Sequence, residues 1–477
     1  MAREITVRNP RTGEDDYTIQ AADEAELAAT ARTMRAAQPA WQALGAEGRG
    51  RILGAWSEAL LADSAPLLNA LSADTGRYLI AMAELYGVPG MVTRWQEAAP
   101  RLLDESGERE SVTPGVGVRD SFAPLPLVGV ISPWNFPLLL SMIDAIPALA
   151  AGCAVIVKPS EVTPRFAAPL MDTIAGIPEL AAVFRFVTGD GATGAALIEQ
   201  ADAIAFTGSV KTGRIVAEAC ARRFIPAFLE LGGKDPCIVL PSADPATAAS
   251  IVLRASVQAT GQACQSLERI YVHDNLYDAF VTALTDGAKG LTLNYPELHQ
   301  GHIGPLIFAR QADTIQAHLA DARAKGAEVL CGGEIEEHGG GLWVRPTVVV
   351  DVDHSMQLMR DETFGPVIPV MRYTDVADAI RLANDSDYGL SAAVLGDADE
   401  ADRVARQLNA GAVSINDGGM TTEVHDAAHD AFGYSGMGVS RMGPSGLTRY
   451  LRRKALLIRH GEARDMASLD ERLAVSR

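Results

Sequence analysis

Cysteine is scarce in this chain, and no two cysteines form a Cys-x-x-Cys pair. The five that occur are scattered, at Cys153, Cys220, Cys237, Cys264 and Cys331. An odd number of dispersed cysteines in a chain of 477 residues argues against a disulfide framework and against a cysteine zinc site. We therefore expect reduced thiols and a cytoplasmic location.

Basic residues are also few: the chain has 41 Lys and Arg residues and 60 Asp and Glu residues, which gives a formal net charge of −19. Nucleic acids and anionic membrane surfaces bind proteins through clustered Lys and Arg. We therefore expect neither as a partner of this chain.

Long uninterrupted apolar runs are absent. The most apolar stretch, residues 124–157, contains Pro126, Pro133, Pro147 and Asp144, which disfavour a membrane helix. The first residues read MAREITVRNPRTGEDDY and lack the apolar segment of a secretory signal. We interpret residues 124–157 as buried core and predict no membrane association.

The patterning that is present is typical of a globular protein. Apolar residues make up 48% and charged residues 21% of the chain, and its length predicts two or three domains. Residues 20–105 show the spacing of successive amphipathic helices, as over Glu24–Gln38, Arg49–Leu61 and Met91–Ala99. Residues 107–125 mix β-branched residues with Gly and Pro, which predicts an extended ribbon that pairs with another segment or another subunit.

From residue 127 onward, short apolar runs alternate with helical patterns, and a second such series begins near Asp235. This alternation is typical of βαβ units around a parallel sheet. We predict two α/β domains joined near residue 233.

A thiol and a carboxylate in glycine-bearing contexts carry the strongest chemical signal. Cys264 lies in GQACQSLER, and Glu230 precedes it in LELGGKDP. A cysteine attacks a carbonyl best as thiolate, and the covalent intermediate is typically released by water that a base activates. The pair indicates covalent catalysis with Cys264 as nucleophile and Glu230 as base, although each residue taken alone is also compatible with an inert buried side chain.

Polar residues follow two predicted strands at their carboxyl ends, where open α/β sheets build their sites. Asn135 follows GVIS, where its amide is either an oxyanion donor or part of a turn. Lys158, Ser160 and Glu161 follow AVIV, where they either bind ribose hydroxyls or form a solvent-facing loop.

Two further turns are compatible with nucleotide binding. Gly208 and Ser209 cap a predicted helix whose backbone donors suit a pyrophosphate. Glu362 and Phe364 in RDETFGPV suit a nicotinamide ribose and ring, or else form a tight turn with a packed Phe. The nearby GDGATG matches GxGxxG but lies several units into the sheet, so we do not interpret it as a Rossmann fingerprint.

Taken together, these segments resemble the aldehyde dehydrogenase superfamily. From about residue 20 to 458 the chain contains, in the family's order, PWNFP, VKPSE, FTGS, LELGGK, GQxCxxxxR and ETFGPV. The resemblance implies NAD(P)-dependent oxidation of an aldehyde to a carboxylic acid, in homodimers or homotetramers built through an extended ribbon and a C-terminal strand.

The resemblance also implies a domain plan within an α/β fold. Residues 1–106 and 126–232 form the parallel-sheet NAD-binding domain, and residues 233–440 form a second α/β catalytic domain. Residues 107–125 and 441–460 form a small β oligomerisation ribbon, followed by a tail at 461–477.

Roles follow for the matched positions. Cys264 resembles the family nucleophile, Glu230 its general base, and Asn135 with the Cys264 backbone N–H its oxyanion hole. The cofactor-binding positions implied are Lys158 and Glu161 at the adenosine ribose, Ser209 at the pyrophosphate, Glu362 with Phe364 at the nicotinamide ribose, and in addition Ile131, Pro133, Trp134, Ser160, Gly191, Phe206, Gly208 and Leu231.

The cofactor and the substrate are less well defined by the sequence. Glu161 would hydrogen-bond a free 2′-hydroxyl and repel a 2′-phosphate, which favours NAD over the alternative NADP. The apolar positions beyond PWNFP favour an apolar or aromatic aldehyde over a small charged one; they are Phe136, Leu138, Leu139, Leu140 and Met142.

The C-terminal region departs from the family pattern. The usual PFGGxKxSGxGRE is replaced by HDAFGYSGMGVSRMGPSG, with Gly433 where a Lys usually stands. His425 and His429 in the preceding loop, 417–430, have the spacing of a metal pair, but no third ligand is fixed, so we predict a solvated loop and no metal.

Two other functions remain open at this point. An acylating enzyme that passes the acyl group to coenzyme A would not need Glu230 to activate water. A catalytically silent binding protein on the same scaffold would tolerate loss of Cys264, Glu230 or Asn135, all of which are present.

Overall fold

The computed structural model describes residues 3–471. In chain order its α-helices are α1 Glu24–Ala43, α2 Gly45–Ala62, α3 Ala65–Thr75, α4 Tyr78–Leu102, α5 Leu139–Ala151, α6 Ala167–Ala175, α7 Pro178–Ala181, α8 Gly191–Gln200, α9 Val210–Arg223, α10 Pro245–Val257, α11 Asp274–Gly290, α12 Gln311–Ala324, α13 Gln357–Arg360, α14 Val376–Asn384, α15 Ala398–Ala405 and α16 Ser445–Thr448.

The strands are β1 Arg3–Arg8, β2 Asp15–Ala21, β3 Glu108–Glu110, β4 Val116–Pro124, β5 Leu127–Ile131, β6 Ala154–Lys158, β7 Phe184–Phe186, β8 Ala203–Thr207, β9 Ala227–Glu230, β10 Asp235–Val239, β11 Leu267–His273, β12 Glu328–Cys331, β13 Ile335–His338, β14 Gly341–Val344, β15 Thr347–Val350, β16 Val367–Tyr373, β17 Tyr388–Gly389, β18 Ser391–Leu395, β19 Ala412–Ile415, β20 Phe432–Gly433, β21 Gly436–Met437 and β22 Leu451–Arg459. Short 3₁₀ turns span Gln258–Gly261, Met420–Thr422 and Met466–Leu469.

The first large sheet has the order β21-β9-β8-β5-β6-β7. Its strands are parallel except β21, which runs antiparallel to β9 at one edge. Strands β5, β6 and β8 are buried along their whole length, as expected for apolar strands covered by helices on both faces. Because β21 comes from residues 436–437, the C-terminal part of the chain completes the sheet that the N-terminal half begins.

The second large sheet has the order β12-β15-β16-β11-β10-β18-β19, with only β12 antiparallel to its neighbour among the described strands. Strand β9 ends at Glu230 and β10 starts at Asp235, so four residues separate them. The segment between them therefore crosses from one sheet to the other. The α/β fold with parallel sheets, predicted from the sequence, is confirmed.

A three-stranded antiparallel ribbon lies outside the two large sheets. Strand β4 pairs with β3 on one side and with β22 on the other, with Pro124 opposite Leu451 and Val116 opposite Arg459. The extended segment predicted over 107–125 thus pairs within its own chain. Strand β22 carries the exposed residues Leu456 and Leu457, which follow each other in the strand and therefore point to opposite faces.

Helix α4 is longer than its sequence pattern indicated. Helical spacing was evident over Met91–Ala99, yet the helix runs from Tyr78 to Leu102 and contains Pro89 and Pro100. The helix nevertheless buries Ala81, Leu85 and Val88 completely, so tertiary packing outweighs the cost of the missing backbone donor at Pro89. Among residues 3–471, no helix has both the length and the apolar character that a membrane crossing needs.

Candidate active site

The predicted site residues lie at one edge of the first sheet. Strands β6, β5, β8 and β9 are neighbours and run parallel, so their carboxyl ends meet there. Lys158 ends β6, Thr207 ends β8 and Glu230 ends β9, while Asn135 follows β5 by four residues. The second sheet contributes the segments that carry Cys264 and Glu362.

Cys264 follows a strained turn. The backbone angle φ is 54° at Ala259, 62° at Thr260 and 66° at Gly261, so three consecutive residues are left-handed. Only glycine adopts this conformation at little cost, and other residues persist in it where their surroundings hold them. A side chain at Gly261 would place its Cβ 2.3 Å from the Gly365 carbonyl oxygen.

Hydrogen bonds from three sides hold this turn. The Thr260 hydroxyl accepts from the Gly304 N–H at 3.0 Å, and the Gln262 amide donates to the Pro305 carbonyl at 3.1 Å. Buried Arg77 donates to the Ala259 carbonyl at 3.1 Å and also to the main-chain carbonyl of Asn135. Arg77 therefore ties the Asn135 segment to the turn that presents the thiol.

Asn135 is 3% exposed, and its side-chain amide donates to the Gln262 carbonyl at 2.9 Å. That bond places the amide beside the turn two residues before Cys264. An Asn amide has two N–H groups, so a second donor remains for a ligand oxygen. The structure thus brings the predicted oxyanion donor and the predicted nucleophile together.

The Cys264 thiol is protonated in this arrangement. Burial raises the pKa of the Cys264 thiol to about 12, and the carboxyl groups of Glu362 and Asp235 add to the shift. Arg441 acts in the opposite direction because a nearby cation stabilises a thiolate. Ionising the thiol therefore requires a base, or a substrate that accepts the developing charge.

Glu230 stands at the end of β9 with its side chain 21% exposed. One of its carboxylate oxygens lies 3.5 Å from the Nε of Arg441. The sequence reasoning missed Arg441, although it lies in SGMGVSRMG, the run already noted for its departure from the family pattern.

A buried ion pair supports the Glu362 turn. Lys234 Nζ donates to Glu268 at 2.6 Å, and Glu268 also accepts from the backbone N–H groups of Thr363 at 2.7 Å and Phe364 at 2.8 Å. Both charged residues belong to motifs noted in the sequence, LELGGK and GQACQSLER, yet neither was predicted as part of the site. The pair fixes the backbone from which Glu362 and Phe364 project.

Glu362 itself accepts a hydrogen bond from the Gly233 N–H at 3.0 Å. Burial raises the pKa of Glu362 to about 8, and the charge of Glu268 adds to this effect. A Cβ on Gly232 would lie 2.4 Å from the Glu362 carboxylate. The absence of a side chain at Gly232, where the chain crosses between the two sheets, therefore leaves room for Glu362. The Phe364 ring meets Trp134 edge-on, with centroids 5.3 Å apart.

The predicted adenosine and pyrophosphate ligands lie at the ends of β6 and β8. Lys158 is 4% exposed, and its Nζ donates to Glu161 at 3.0 Å. Ser209 caps α9 by accepting from the Thr212 N–H at 3.3 Å, and the rest of the first turn remains open to an anion. A cradle of this composition, with a carboxylate beside a lysine and a capped helix start, fits a dinucleotide.

The other predicted cofactor positions divide between accessible and buried sites. Ile131, Phe206 and Leu231 are buried, and a Cβ on Gly208 would lie 2.6 Å from the Phe206 ring. Pro133 and Trp134 are half-buried beside Asn135, and Ser160 is buried. Gly191 is exposed and is the first residue of α8, after the Asp190 cap.

The loop with the two histidines is held by its own backbone. His425 bonds the Thr422 carbonyl at 3.0 Å and His429 the Ala427 carbonyl at 3.1 Å. Within the part of the chain that the structure describes, no three His, Cys, Asp or Glu side chains are grouped so as to hold a metal ion.

Comparison with known proteins identifies the class of this fold and site. The model of the aldehyde dehydrogenase family matches residues 1–456. The solved structure of PutA from Anabaena variabilis, assigned as an aldehyde dehydrogenase, has a TM-score of 0.95 and 51% identity and covers 97% of this chain and 99% of its own.

Two curated relatives are similar over most of the chain. The 4,4'-diapolycopene aldehyde oxidase of Methylomonas sp. is 37% identical over 87% of this chain and 77% of its own. A protein of Mycobacterium tuberculosis (strain ATCC 25618 / H37Rv), assigned as succinate-semialdehyde dehydrogenase, NADP(+), 2, is 34% identical over 93% of this chain and 86% of its own. The chain belongs to the aldehyde dehydrogenase family, so the prediction from its motifs is confirmed, as is its class as an oxidoreductase enzyme.

Proposed function

We propose that the protein oxidises an aldehyde to a carboxylic acid with NAD, through a covalent bond to Cys264 and hydrolysis by water that Glu230 activates. The observation that carries this proposal is the hydrogen bond that sets the Asn135 amide against the Cys264 turn. Cys264, Asn135 and Glu230 lie together at one sheet edge, which supports acyl chemistry at that edge.

The first step forms a C–S bond between Cys264 and the aldehyde carbon, and the proton of the thiol passes to solvent water. The carbonyl oxygen becomes an oxyanion, to which the free Asn135 N–H and the Cys264 backbone N–H donate. NAD, when bound, would accept hydride; loss of hydride from the former aldehyde carbon breaks its C–H bond, restores the C=O bond and leaves a thioester on Cys264. Glu230 then takes a proton from water as the water oxygen bonds to the thioester carbon, and the C–S bond breaks with the sulfur leaving as thiolate.

Lys158, Glu161, Ser209 and Glu362 would hold the cofactor. We propose NAD over NADP because the Glu161 carboxylate at the end of β6 repels a 2′-phosphate. Lys158 beside it weakens that repulsion, so kcat/KM is to be measured with both cofactors. A higher kcat/KM with NADP would contradict this assignment.

For the substrate we propose an aldehyde with an apolar body. Of the five apolar positions noted beyond PWNFP, Leu138 and Met142 are fully buried in the core, while Phe136, Leu139 and Leu140 are half-buried. Only the half-buried three are available to contact a substrate. The names of the two curated relatives contain different substrates, 4,4'-diapolycopene aldehyde in one and succinate semialdehyde in the other.

The test is a product analysis with purified protein, NAD and matched apolar, aromatic and semialdehyde substrates. We expect NADH and free acid in equal amounts, with the highest kcat/KM for an apolar aldehyde. Acyl-CoA as the product when coenzyme A is added would favour the acylating alternative. Absence of NADH with every aldehyde, together with no labelling of Cys264 by iodoacetamide, would favour a silent binding protein.

The quaternary structure and the domain roles are also proposals. We propose a homo-oligomer joined through the β3-β4-β22 ribbon, which exposes Leu456 and Leu457. The sheet with Lys158 and Ser209 would then bind the cofactor, and the domain that begins at Asp235 would supply the nucleophile. The cytoplasmic location remains a prediction from the cysteine pattern, and part of the predicted tail, residues 472–477, lies outside the described residues.

A further inference from the structure

The carboxylate of Glu230 faces a buried arginine from the C-terminal segment. Arg441 is 8% exposed, and its Nη2 donates to the Thr207 hydroxyl and, at 3.2 Å, to Asp144. Thr207 ends β8 directly opposite Glu230 in the register of β8 and β9. Because Thr207 and Glu230 end neighbouring strands, the hydrogen bond to Thr207 holds the Arg441 guanidinium beside the Glu230 carboxylate.

The Nε of Arg441 is the atom that faces Glu230. It lies 3.5 Å from the carboxylate and makes no hydrogen bond to any of residues 3–471. A buried N–H without a partner is costly, so this atom has one donor to offer to a group at that position. The carboxylate lies close enough to be attracted and is not locked in a tight hydrogen bond.

The charge count of the surrounding cluster depends on Glu230. Asp144 on α5 is 1% exposed and is shared by Arg441 and Arg449, whose Nη2 also donates to the Tyr450 hydroxyl at 2.7 Å. Two guanidinium groups and one carboxylate leave one positive charge in excess. Ionised Glu230 is the counter-charge at ion-pair distance, and buried charges are stable only when they are balanced.

We propose that Arg441 is a positioning residue for Glu230: it holds the carboxylate at the end of β9 in place for the thioester-hydrolysis step. This inference rests on the proposed role of Glu230 as base. A carboxylate must lie within reach of the attacking water to take its proton, and the guanidinium at 3.5 Å restrains where the Glu230 carboxylate can lie.

Other charged groups enter the same balance. Arg449 from the C-terminal segment and Asp144 from α5 complete the cluster, and the Cys264 thiol, Glu362 and Asp235 lie on the side of the nucleophile. Replacing Arg441 by Gln therefore removes the cation that faces Glu230. Replacing Asp144 by Asn removes the buried carboxylate that holds this cation from the other side.

The experiment separates thioester hydrolysis from hydride transfer. p-Nitrophenyl acetate acylates the enzyme without oxidation, and the burst of p-nitrophenol reports acylation while the steady rate reports hydrolysis. For Arg441→Gln we expect hydrolysis at pH 7 to fall by about 10-fold, because the Glu230 carboxylate loses the cation that holds it. The burst rate should stay within about threefold, because acylation does not use Glu230 as a water base.

Three further variants complete the test. Arg441→Lys keeps the charge and should restore most of the hydrolysis rate. Arg94→Gln removes an arginine that donates to the Gly443 carbonyl in the same segment and should leave the hydrolysis rate unchanged. Asp144→Asn removes the carboxylate that holds Arg441 and should also slow hydrolysis more than the burst, so it carries the test alone if Arg441→Gln does not fold.

The outcomes distinguish this inference from the proposed function. A wild-type enzyme that never releases acid from the acylated thiol contradicts the role of Glu230 itself. A wild-type enzyme that turns over normally, combined with an unchanged ratio of hydrolysis rate to burst rate in Arg441→Gln and in Asp144→Asn, overturns the role of Arg441.

Discussion

Burial of Cys264 lowers the reactivity of its thiol in the resting enzyme. The pKa of the thiol is raised to about 12 because the side chain is desolvated and carboxyl groups lie nearby. The reactive thiolate is therefore a small fraction of the enzyme at neutral pH. As long as the pH is below the pKa, this fraction grows tenfold for each unit by which the pH rises. A resting thiol of this kind is protected from adventitious electrophiles.

Alkylation of the free enzyme should follow that ionisation. We expect the rate of iodoacetamide labelling at Cys264 to rise about tenfold per pH unit between pH 7 and pH 9, as measured by peptide mass spectrometry. Cys264→Ser serves as the control that removes the signal. A labelling rate that levels off below pH 8 would contradict the raised pKa.

Loss of the Asn135 amide should affect acylation. Removing one oxyanion donor typically slows the chemical step about 100- to 1000-fold, so we expect Asn135→Ala to reduce the burst rate by that factor. The variant also leaves the Gln262 carbonyl without its partner, which costs about 1–3 kcal/mol of stability without unfolding the protein. An unchanged burst rate would remove Asn135 from the oxyanion hole.

Several residues of the site could not be predicted singly from the sequence. Lys234, Glu268 and Arg441 act through partners that are distant along the chain, and a lone Lys, Glu or Arg carries no signal of its partner. Cys264, Glu230 and Asn135 were recognisable because each lies in a motif. Leu138 and Met142 appeared available to a substrate because their burial depends on how α5 packs.

Among the elements, the turn before Cys264 depends most on a single small residue. Gly261 has φ 66°, and its added Cβ would meet backbone atoms that have no freedom to move away. We expect Gly261→Ala to lower the free energy of unfolding by about 2–4 kcal/mol, as measured by urea denaturation.

The matched control for this substitution is Gly290→Ala at the end of α11, where no atom lies within 4 Å of the added Cβ. There the same substitution should be neutral or slightly stabilising, since Ala favours helix. Equal stability of the two variants would show that the turn is not restrained as described.

The element that carries Glu362 and Phe364 is held by the Lys234–Glu268 pair. Breaking a buried pair from one side leaves an unpaired buried charge, so Lys234→Met should cost about 3–5 kcal/mol by urea denaturation. Removal of Arg406 from its exposed pair with Asp402 should leave the midpoint unchanged. Similar losses in both variants would contradict a structural role specific to the buried pair.

The spacing of apolar residues identified most helices and strands, although tertiary packing shifted some of their ends. Helices such as α1 and α11 follow their apolar spacing, and the alternation from residue 127 indicated the parallel sheets. The left-handed turn at Ala259 and Thr260 could not be predicted, because neither residue type favours that conformation. Only contacts with Gly304, Pro305 and Arg77 make it stable.

At the scale of the whole molecule, exposed Leu457 of the ribbon is the contact that we propose a second copy covers. Leu457 is 72% exposed on β22. We expect Leu457→Glu to reduce the particle mass measured by light scattering, because a charge cannot be buried unpaired in an interface. Leu469→Glu, which changes an exposed Leu outside the ribbon, should keep the wild-type mass. A wild-type mass for Leu457→Glu would contradict assembly through this contact.

The pairing of β21 with β9 has a consequence for how the protein is made. Domains tend to fold in the order in which they leave the ribosome. Glu230 emerges near the middle of synthesis, but its neighbours β21 and Arg441 emerge only after the whole second domain. A chain that stops before residue 436 therefore lacks both β21 and Arg441 beside Glu230, so the first sheet cannot be completed until the second sheet has been made.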